Sequence, residues 1–212
     1  MNFYIDGNYS LETPKKKKVD IVQATQYPVD GEVIIKIDMQ KPEDFSVRLR
    51  IPEWSKQNTV AVNGEPIVGI TAGDYLLINR KWKAGDQIEL NMDMRARKIS
   101  TGKMPVYEAI VRGPILLSRD ARLGGPEIES ILRPVADKDG YINLEPVQSN
   151  NSEIWMAFKV PFVPESYKEG GSEVVDVVLC DYSSAGNSNH GYPLFRVWLP
   201  QLINPQIIEE HY

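Results

Sequence analysis

Apolar and polar residues alternate strictly along several short segments of the chain. In the segment 32–39, Val33, Ile35, Ile37 and Met39 fall on one face, and most of the positions between them are charged. The same alternation runs through 46–51 and 87–94. A period of two, with charge on one face, predicts half-buried strands of antiparallel sheets.

Glycine-containing dipeptides separate these segments. Asp30-Gly31 and Asn63-Gly64 predict hairpins with type I′ turns, in which both central residues have positive φ. Turn signals recur about every ten residues, a spacing typical of a β-sandwich or barrel. Other apolar segments predict strands at 3–5, 19–25, 59–62, 75–79, 106–112, 115–118, 154–160, 174–180 and 194–199.

A helical apolar face does not develop over any long stretch of the sequence. The pattern therefore predicts an all-β fold, namely an antiparallel β-sandwich of jelly-roll type. We expect two packed sandwich modules, at 1–101 and 102–212. Three long segments rich in Gly, Pro, Ser and Asn interrupt the second half, at 119–151, 161–172 and 181–193. Loops of this length inside a compact domain are usually functional or docked on something else.

Composition and charge exclude several classes of protein. The chain has 212 residues, of which 42% are hydrophobic and 25% charged, close to an average globular protein. Its net charge of −5 argues against a nucleic-acid partner, which would require a basic stripe. No apolar run predicts a membrane span, and the N-terminus lacks the charge order of a signal peptide. The compartment stays open, because a signal preceding Met1 would direct the protein to the periplasm or outside the cell.

Cysteine and histidine are scarce. Cys180 is the single cysteine and ends the apolar segment 174–180, so we expect it to be a buried small hydrophobic residue. His190 and His211 are the two histidines. This inventory excludes an intrachain disulfide, offers little for a metal centre and predicts no cofactor.

A possible catalytic triad lies within the segment 181–193. Asp181, Ser183, Ser184 and His190 are close in sequence. Triads are defined by geometry and are normally assembled from distant segments, and a Gly-x-Ser-x-Gly elbow is missing here. The segment is therefore interpreted as a polar loop.

Four tryptophans and ten tyrosines could supply a platform for stacking sugars. Trp54 follows a strand end, Trp82 is expected in a turn, and the direction of Trp198 is ambiguous. Packing in the core or against another domain is the preferred interpretation for most of these side chains, the fourth tryptophan being Trp155.

An ordered set of motifs resembles the C-terminal β region of glycoside hydrolase family 127, the β-L-arabinofuranosidase family. The resemblance covers nearly the whole chain, and no single motif decides it. The motifs are NFYI at 2–5, TQYP at 25–28, LRIPEW at 49–54, VNG at 62–64, GDYL at 73–76, WKAGD at 82–86, RGP at 112–114, DYSSAGN at 181–187 and FRVWLP at 195–200.

The resemblance implies an accessory role rather than catalysis. In that family the active site lies in an (α/α)6 barrel upstream of the β region, with a zinc-bound cysteine thiolate as nucleophile and glutamates beside it. Cys180 does not match the nucleophile motif, so no catalytic or metal-binding residue is carried over to this chain. The implied partner is such a barrel, in the same parent protein or in a partner chain.

Three functions stay open at this point. The first is a non-catalytic accessory region that braces the barrel of a larger glycoside hydrolase. The second is an independent carbohydrate-binding module with an aromatic platform, whose partner would be a plant-type oligosaccharide, and the third is an autonomous hydrolase. We expect the loop 181–193 to face the barrel or a partner subunit. The candidate docking or sugar-contact residues are Asp181, Tyr182, His190, Tyr192 and Arg196.

Overall fold

A computed structural model describes residues 1–100, 106–164, 173–188, 191 and 193–202. Within these ranges the chain is built from antiparallel strands and contains no α-helix, which confirms the all-β prediction. A single 3-10 turn spans Ala121–Leu123. No helix in the described ranges is long and apolar enough to cross a membrane. Two compact units form, unit 1 at Met1–Met94 and unit 2 at Arg95–Tyr212.

Eighteen strands follow one another in the part of the chain that the structure describes. They are β1 (Gly7–Glu12), β2 (Lys18–Thr25), β3 (Glu32–Met39), β4 (Glu43–Arg50), β5 (Thr59–Val62), β6 (Glu65–Pro66), β7 (Tyr75–Trp82), β8 (Asp86–Asn91), β9 (Ala96–Ser100), β10 (Tyr107–Arg112), β11 (Ile115–Asp120), β12 (Leu132–Pro134), β13 (Tyr141–Ile142), β14 (Glu145–Val147), β15 (Ala157–Pro164), β16 (Val175–Asp181), β17 (Phe195–Arg196) and β18 (Leu199–Pro200).

Unit 1 is a sandwich of a six-stranded and a two-stranded sheet. The larger sheet has the order β1-β2-β3-β8-β5-β6, and the smaller sheet pairs β4 with β7. Alternation places Val33, Ile35 and Ile37 of β3 in the core, as predicted. Leu49 of β4 and Ile78 of β7 belong to the same core cluster, so the two sheets pack face to face.

The two predicted hairpin dipeptides differ in the structure. Asn63 has a φ of 54° and Gly64 a φ of 83°, so the type I′ turn between β5 and β6 is confirmed. The hairpin predicted at Asp30-Gly31 forms between β2 and β3, but the prediction of a type I′ turn was wrong, because neither residue has positive φ. A side chain at Gly31 would place its Cβ 2.2 Å from the carbonyl oxygen of Met92. Glycine is therefore required there by the close approach of another backbone segment.

Three local predictions in the strands need correction. Trp82 ends β7 rather than lying in a turn; it is fully buried, and its Nε1–H donates to the Phe45 carbonyl over 2.9 Å. The segment 3–5 forms no strand, and the first strand begins at Gly7. The segment 194–199 is not one strand, because β17 and β18 pair with different neighbours, β11 and β10.

Unit 2 contains one large sheet that curls around its own core. Its main path is β12-β15-β16-β11-β10-β9-β13, with β14 beside β15. Leu132 of β12 and Ile142 of β13 lie at opposite ends of this path, yet both belong to one core cluster. Phe162 of β15 and Leu117 of β11 fill the middle of that cluster. The curled sheet positions the end of β16, where the predicted site residues begin.

Candidate functional site

The chain leaves the curled sheet at Asp181 and forms a tight turn over 181–187, here called the Asp181 turn. Asp181 lies opposite Leu117 of β11, and its N–H donates to the Met156 carbonyl over 3.1 Å. The Tyr182 N–H donates to the Leu116 carbonyl over 2.9 Å, which fixes the start of the turn on the sheet. The turn therefore continues directly from β16, and a backbone hydrogen bond joins its start to β11.

The Asp181 carboxylate stabilises this turn by accepting several hydrogen bonds. Its side chain is buried, with the residue 1% exposed. One oxygen accepts hydrogen bonds from the Ser184 hydroxyl over 2.8 Å and the Met156 N–H over 3.0 Å. The other oxygen accepts from the Ser183 hydroxyl and the Ser184 N–H. Burial alone would raise the pKa of Asp181, but these hydrogen bonds outweigh it and leave the pKa below its ordinary value.

A second buried carboxylate, Asp120, supports the same turn through Arg122. Asp120 Oδ1 accepts from Arg122 Nε over 2.9 Å, and Asp120 Oδ2 accepts from the terminal guanidinium nitrogen over 2.8 Å. The Gly186 N–H also donates to Asp120 Oδ2, over 2.9 Å. Arg122 then donates to the Ser184 carbonyl over 2.7 Å and to the Asn187 carbonyl. The ion pair thus contacts both ends of the turn.

Both members of this pair remain charged. Burial would raise the pKa of Asp120, but hydrogen bonds from Arg122 and Gly186 reverse the effect and lower it. The hydrogen bond to Asp120 raises the pKa of Arg122 against its own burial. These charges are compensated within the protein, and the arrangement stabilises the loop.

Cys180 lies directly before the turn and is fully buried, as the sequence predicted. Burial raises the pKa of its thiol to about 12, and the charges of Asp120 and Asp181 act in the same direction. A thiolate is therefore strongly disfavoured at neutral pH. Across the described ranges, no three His, Cys, Asp or Glu side chains lie close enough to hold a metal ion.

The outer side of the Asp181 turn exposes an aromatic pair, Tyr182 and Phe195. Tyr182 is 51% and Phe195 44% exposed, and their ring centroids are 6.3 Å apart. The two ring planes are inclined by 51°. Gly186 packs against Phe195 so closely that a Cβ there would lie 2.5 Å from the ring. Leu194, the residue before Phe195 in the chain, is also exposed.

The structure brings three of the five candidate residues to this region and leaves two undescribed. Asp181 lies inside the turn, and Tyr182 is on its surface. Arg196 follows Phe195 in β17 and forms an ion pair with Glu129. His190 and Tyr192 lie outside the described residues.

The sequence analysis did not predict the two residues that anchor the turn through side-chain hydrogen bonds. Asp120 and Arg122 stand at the beginning of a segment expected to be a polar loop, and their partners lie more than sixty positions later in the chain. Phe195 was predicted to lie in a strand, and nothing in the sequence indicated that its side chain would be exposed. An Asp-x-Arg pair next to a strand end was the one local hint of an ion pair.

Comparison with protein families finds a match in unit 1. Residues 1–94 match the family described as beta-L-arabinofuranosidase, GH127 middle domain. Unit 1 is similar to a GH127 middle domain. The match covers the same residues as the compact unit seen in the structure. This confirms the resemblance to glycoside hydrolase family 127.

Solved structures extend the similarity beyond residues 1–94. A GH127 β-L-arabinofuranosidase from Geobacillus stearothermophilus superposes with a TM-score of 0.75 at 22% identity, over 94% of this chain and 33% of that chain. A GH127 β-arabinofuranosidase gives a TM-score of 0.74 at 26% identity, over 94% of this chain and 34% of that chain. A third structure, a glycoside hydrolase, gives 0.66 at 25% identity, over 95% and 36%.

These structural relatives are much longer than the chain described here. The chain spans about a third of their length, so units 1 and 2 together correspond to one part of such proteins. Comparison with curated protein sequences finds no match.

Proposed function

We propose that this chain is a non-catalytic accessory β region of a larger glycoside hydrolase related to β-L-arabinofuranosidases, and that it braces an (α/α)6 catalytic barrel. The observation that supports this most strongly is the coverage: nearly the whole chain corresponds to only about a third of longer GH127 enzymes. The barrel belongs either to the same parent protein or to a partner chain.

The chemistry of unit 2 agrees with a supporting role. Hydrolysis of a glycosidic bond usually requires two carboxyl groups facing the bond, or another nucleophile in a cleft. Asp120 and Asp181 are instead satisfied by internal hydrogen bonds, and Cys180 is buried in an apolar cluster. These groups build the scaffold that presents the aromatic pair.

The aromatic pair favours docking over sugar stacking. Coplanar exposed rings would favour a platform on which the C–H faces of successive sugars stack. Tyr182 and Phe195 are inclined by 51°, and the neighbouring residue in the chain, Leu194, is aliphatic and exposed. We therefore assign this surface to contact with the barrel. An independent carbohydrate-binding module remains the second candidate, supported by the exposure of Tyr182 and Trp155.

A double variant, Tyr182→Ser with Phe195→Ser, tests the docking surface. It is compared in the complete gene product and in the isolated 212-residue chain. We expect the melting temperature and activity of the complete protein to fall, while the melting temperature of the isolated chain falls less, because both side chains are about half exposed there. Val68→Ser, at a side chain of unit 1 that is 87% exposed, is the control. If the complete protein keeps its melting temperature and activity, the assignment of this surface is contradicted. If the complete gene product contains no barrel and binds no barrel from a partner chain, the proposed function is contradicted.

A further inference from the structure

A pocket of about 640 Å³ opens in unit 2, with a floor of small apolar side chains. Val147 of β14 and Ala157 of β15 are register partners and lie side by side in this floor. Val178 of β16 and Leu123 of the 3-10 turn complete it. All four residues belong to or border one buried apolar cluster, so the floor is part of the packed protein.

The opposite wall is a polar loop, 148–152, with the sequence Gln-Ser-Asn-Asn-Ser. Two of its side chains hold the loop in shape. The Ser149 hydroxyl accepts from the Asn151 N–H over 3.1 Å, and the Asn151 amide oxygen accepts from the Glu153 N–H over 2.9 Å. The three alternate residues, Gln148, Asn150 and Ser152, are exposed polar side chains. The wall is thus preformed and carries amide and hydroxyl groups that water can reach.

The pocket has little uncompensated charge. Arg122 alone is charged among the described residues that line it. Its guanidinium is bound by Asp120 over 2.8 Å and by Glu153 over 3.1 Å. Two carboxylates therefore compensate the single cation, and an anionic ligand would gain little there.

We propose that this pocket binds a neutral carbohydrate of one or two sugar rings. A sugar ring has an apolar C–H face and a rim of hydroxyl groups, which match the apolar floor and the amide and hydroxyl wall. The volume lies within the range of about 300–1,000 Å³ that is usual for small-molecule sites. Neither member of the aromatic pair lines the pocket. The site is therefore separate from the docking surface, and its failure would leave the bracing function intact.

Titration of the ¹⁵N-labelled chain, followed by amide chemical shifts, tests the proposal. The probes are L-arabinose, D-xylose and D-glucose, their linear disaccharides, and D-glucose 6-phosphate. We expect saturable shifts of residues 147–152 with at least one neutral sugar, and no tighter binding of the phosphate than of D-glucose. Gln148→Ala with Asn150→Ala should weaken binding at least tenfold, because two hydrogen-bonding amides are lost. Asn8→Ala in β1 is the matched control and should bind like the wild type.

Each alternative result has a defined meaning. Absence of saturable shifts with every neutral sugar overturns the proposal, as do shifts that cluster away from 147–152. Tighter binding of D-glucose 6-phosphate overturns the neutral character of the site. Since Gln148 and Asn150 are exposed, the double variant should keep the wild-type melting temperature. If binding survives in that folded variant, the loop is not the binding wall and the proposal fails.

Discussion

Asp120 and Arg122 are two positions apart, and both oxygens of the carboxylate bind the guanidinium, over 2.9 and 2.8 Å. The same two side chains hydrogen-bond Gly186 and Ser184 in the Asp181 turn. Asp120 is fully buried at its side chain, and Arg122 is 14% exposed. A nearly buried ion pair therefore anchors the loop that carries the aromatic pair.

Removal of the guanidinium should destabilise unit 2 strongly. Arg122→Met leaves the Asp120 carboxylate buried without its charge partner, which typically costs about 3–5 kcal/mol. Urea unfolding measures the change in the free energy of unfolding. Lys159→Met is the control, because the Lys159–Glu145 pair is largely exposed and such pairs contribute at most about 1 kcal/mol. Equal losses in the two variants would contradict the anchoring role of the Asp120–Arg122 pair.

Acid should weaken the fold partly through Asp181. The pKa of Asp181 in the folded chain lies below its ordinary value of 3.8, so its ionised form stabilises the fold above about that pH. This contribution disappears as the pH falls from 3.8 through the folded pKa. Asp181→Asn should be less stable than the wild type at pH 6, and the difference should shrink toward pH 3. Free energies of unfolding at several pH values check this, and a pH-independent difference would contradict it.

Strand alternation predicted the interior of unit 1 because one face of each strand is buried. Val33, Ile35 and Ile37 could be placed by their period of two alone. The prediction that Trp82 lies in a turn was wrong. The turn indicated by Lys83-Ala84-Gly85 begins one residue later than predicted, because Trp82 is still part of β7. A local pattern detects a turn but does not fix its boundary to one residue.

The candidate site was harder to predict, because its stabilising contacts join distant parts of the chain. Tyr182 could be selected from its position in a long polar loop. Asp120 and Arg122 could not, because their contacts with Gly186 and Ser184 depend on the pairing of β11 with β16. The burial of Asp181 was equally invisible, since a carboxylate in a loop ordinarily faces water.

Two glycines in unit 1 should respond differently to alanine. Gly64→Ala introduces a side chain at a φ of 83° with no atom within 4 Å, so only backbone strain of about 1 kcal/mol is expected. Gly31→Ala would bring Cβ within 2.2 Å of the Met92 carbonyl oxygen, and the forced separation should cost about 3 kcal/mol. Thermal or urea unfolding of both variants gives the ranking. A larger loss for Gly64→Ala would contradict the close-approach explanation.

Cys180 should be inert toward thiol reagents in the folded chain. Its side chain is buried, and its pKa is raised to about 12, so very little thiolate exists at pH 8. Reaction with 5,5′-dithiobis(2-nitrobenzoic acid) should be slow in native buffer and fast in urea. Fast native reaction would place the thiol in an exposed and activated setting.

The most direct test of an accessory role is hydrolysis of an aryl β-L-arabinofuranoside by the purified 212-residue chain. Wild type and Cys180→Ser are assayed side by side, with and without added zinc. The proposed function predicts no turnover by either protein, because the internally bound carboxylates and the buried thiol supply neither an acid nor a nucleophile. Turnover by the wild type that is lost in Cys180→Ser would contradict the accessory role.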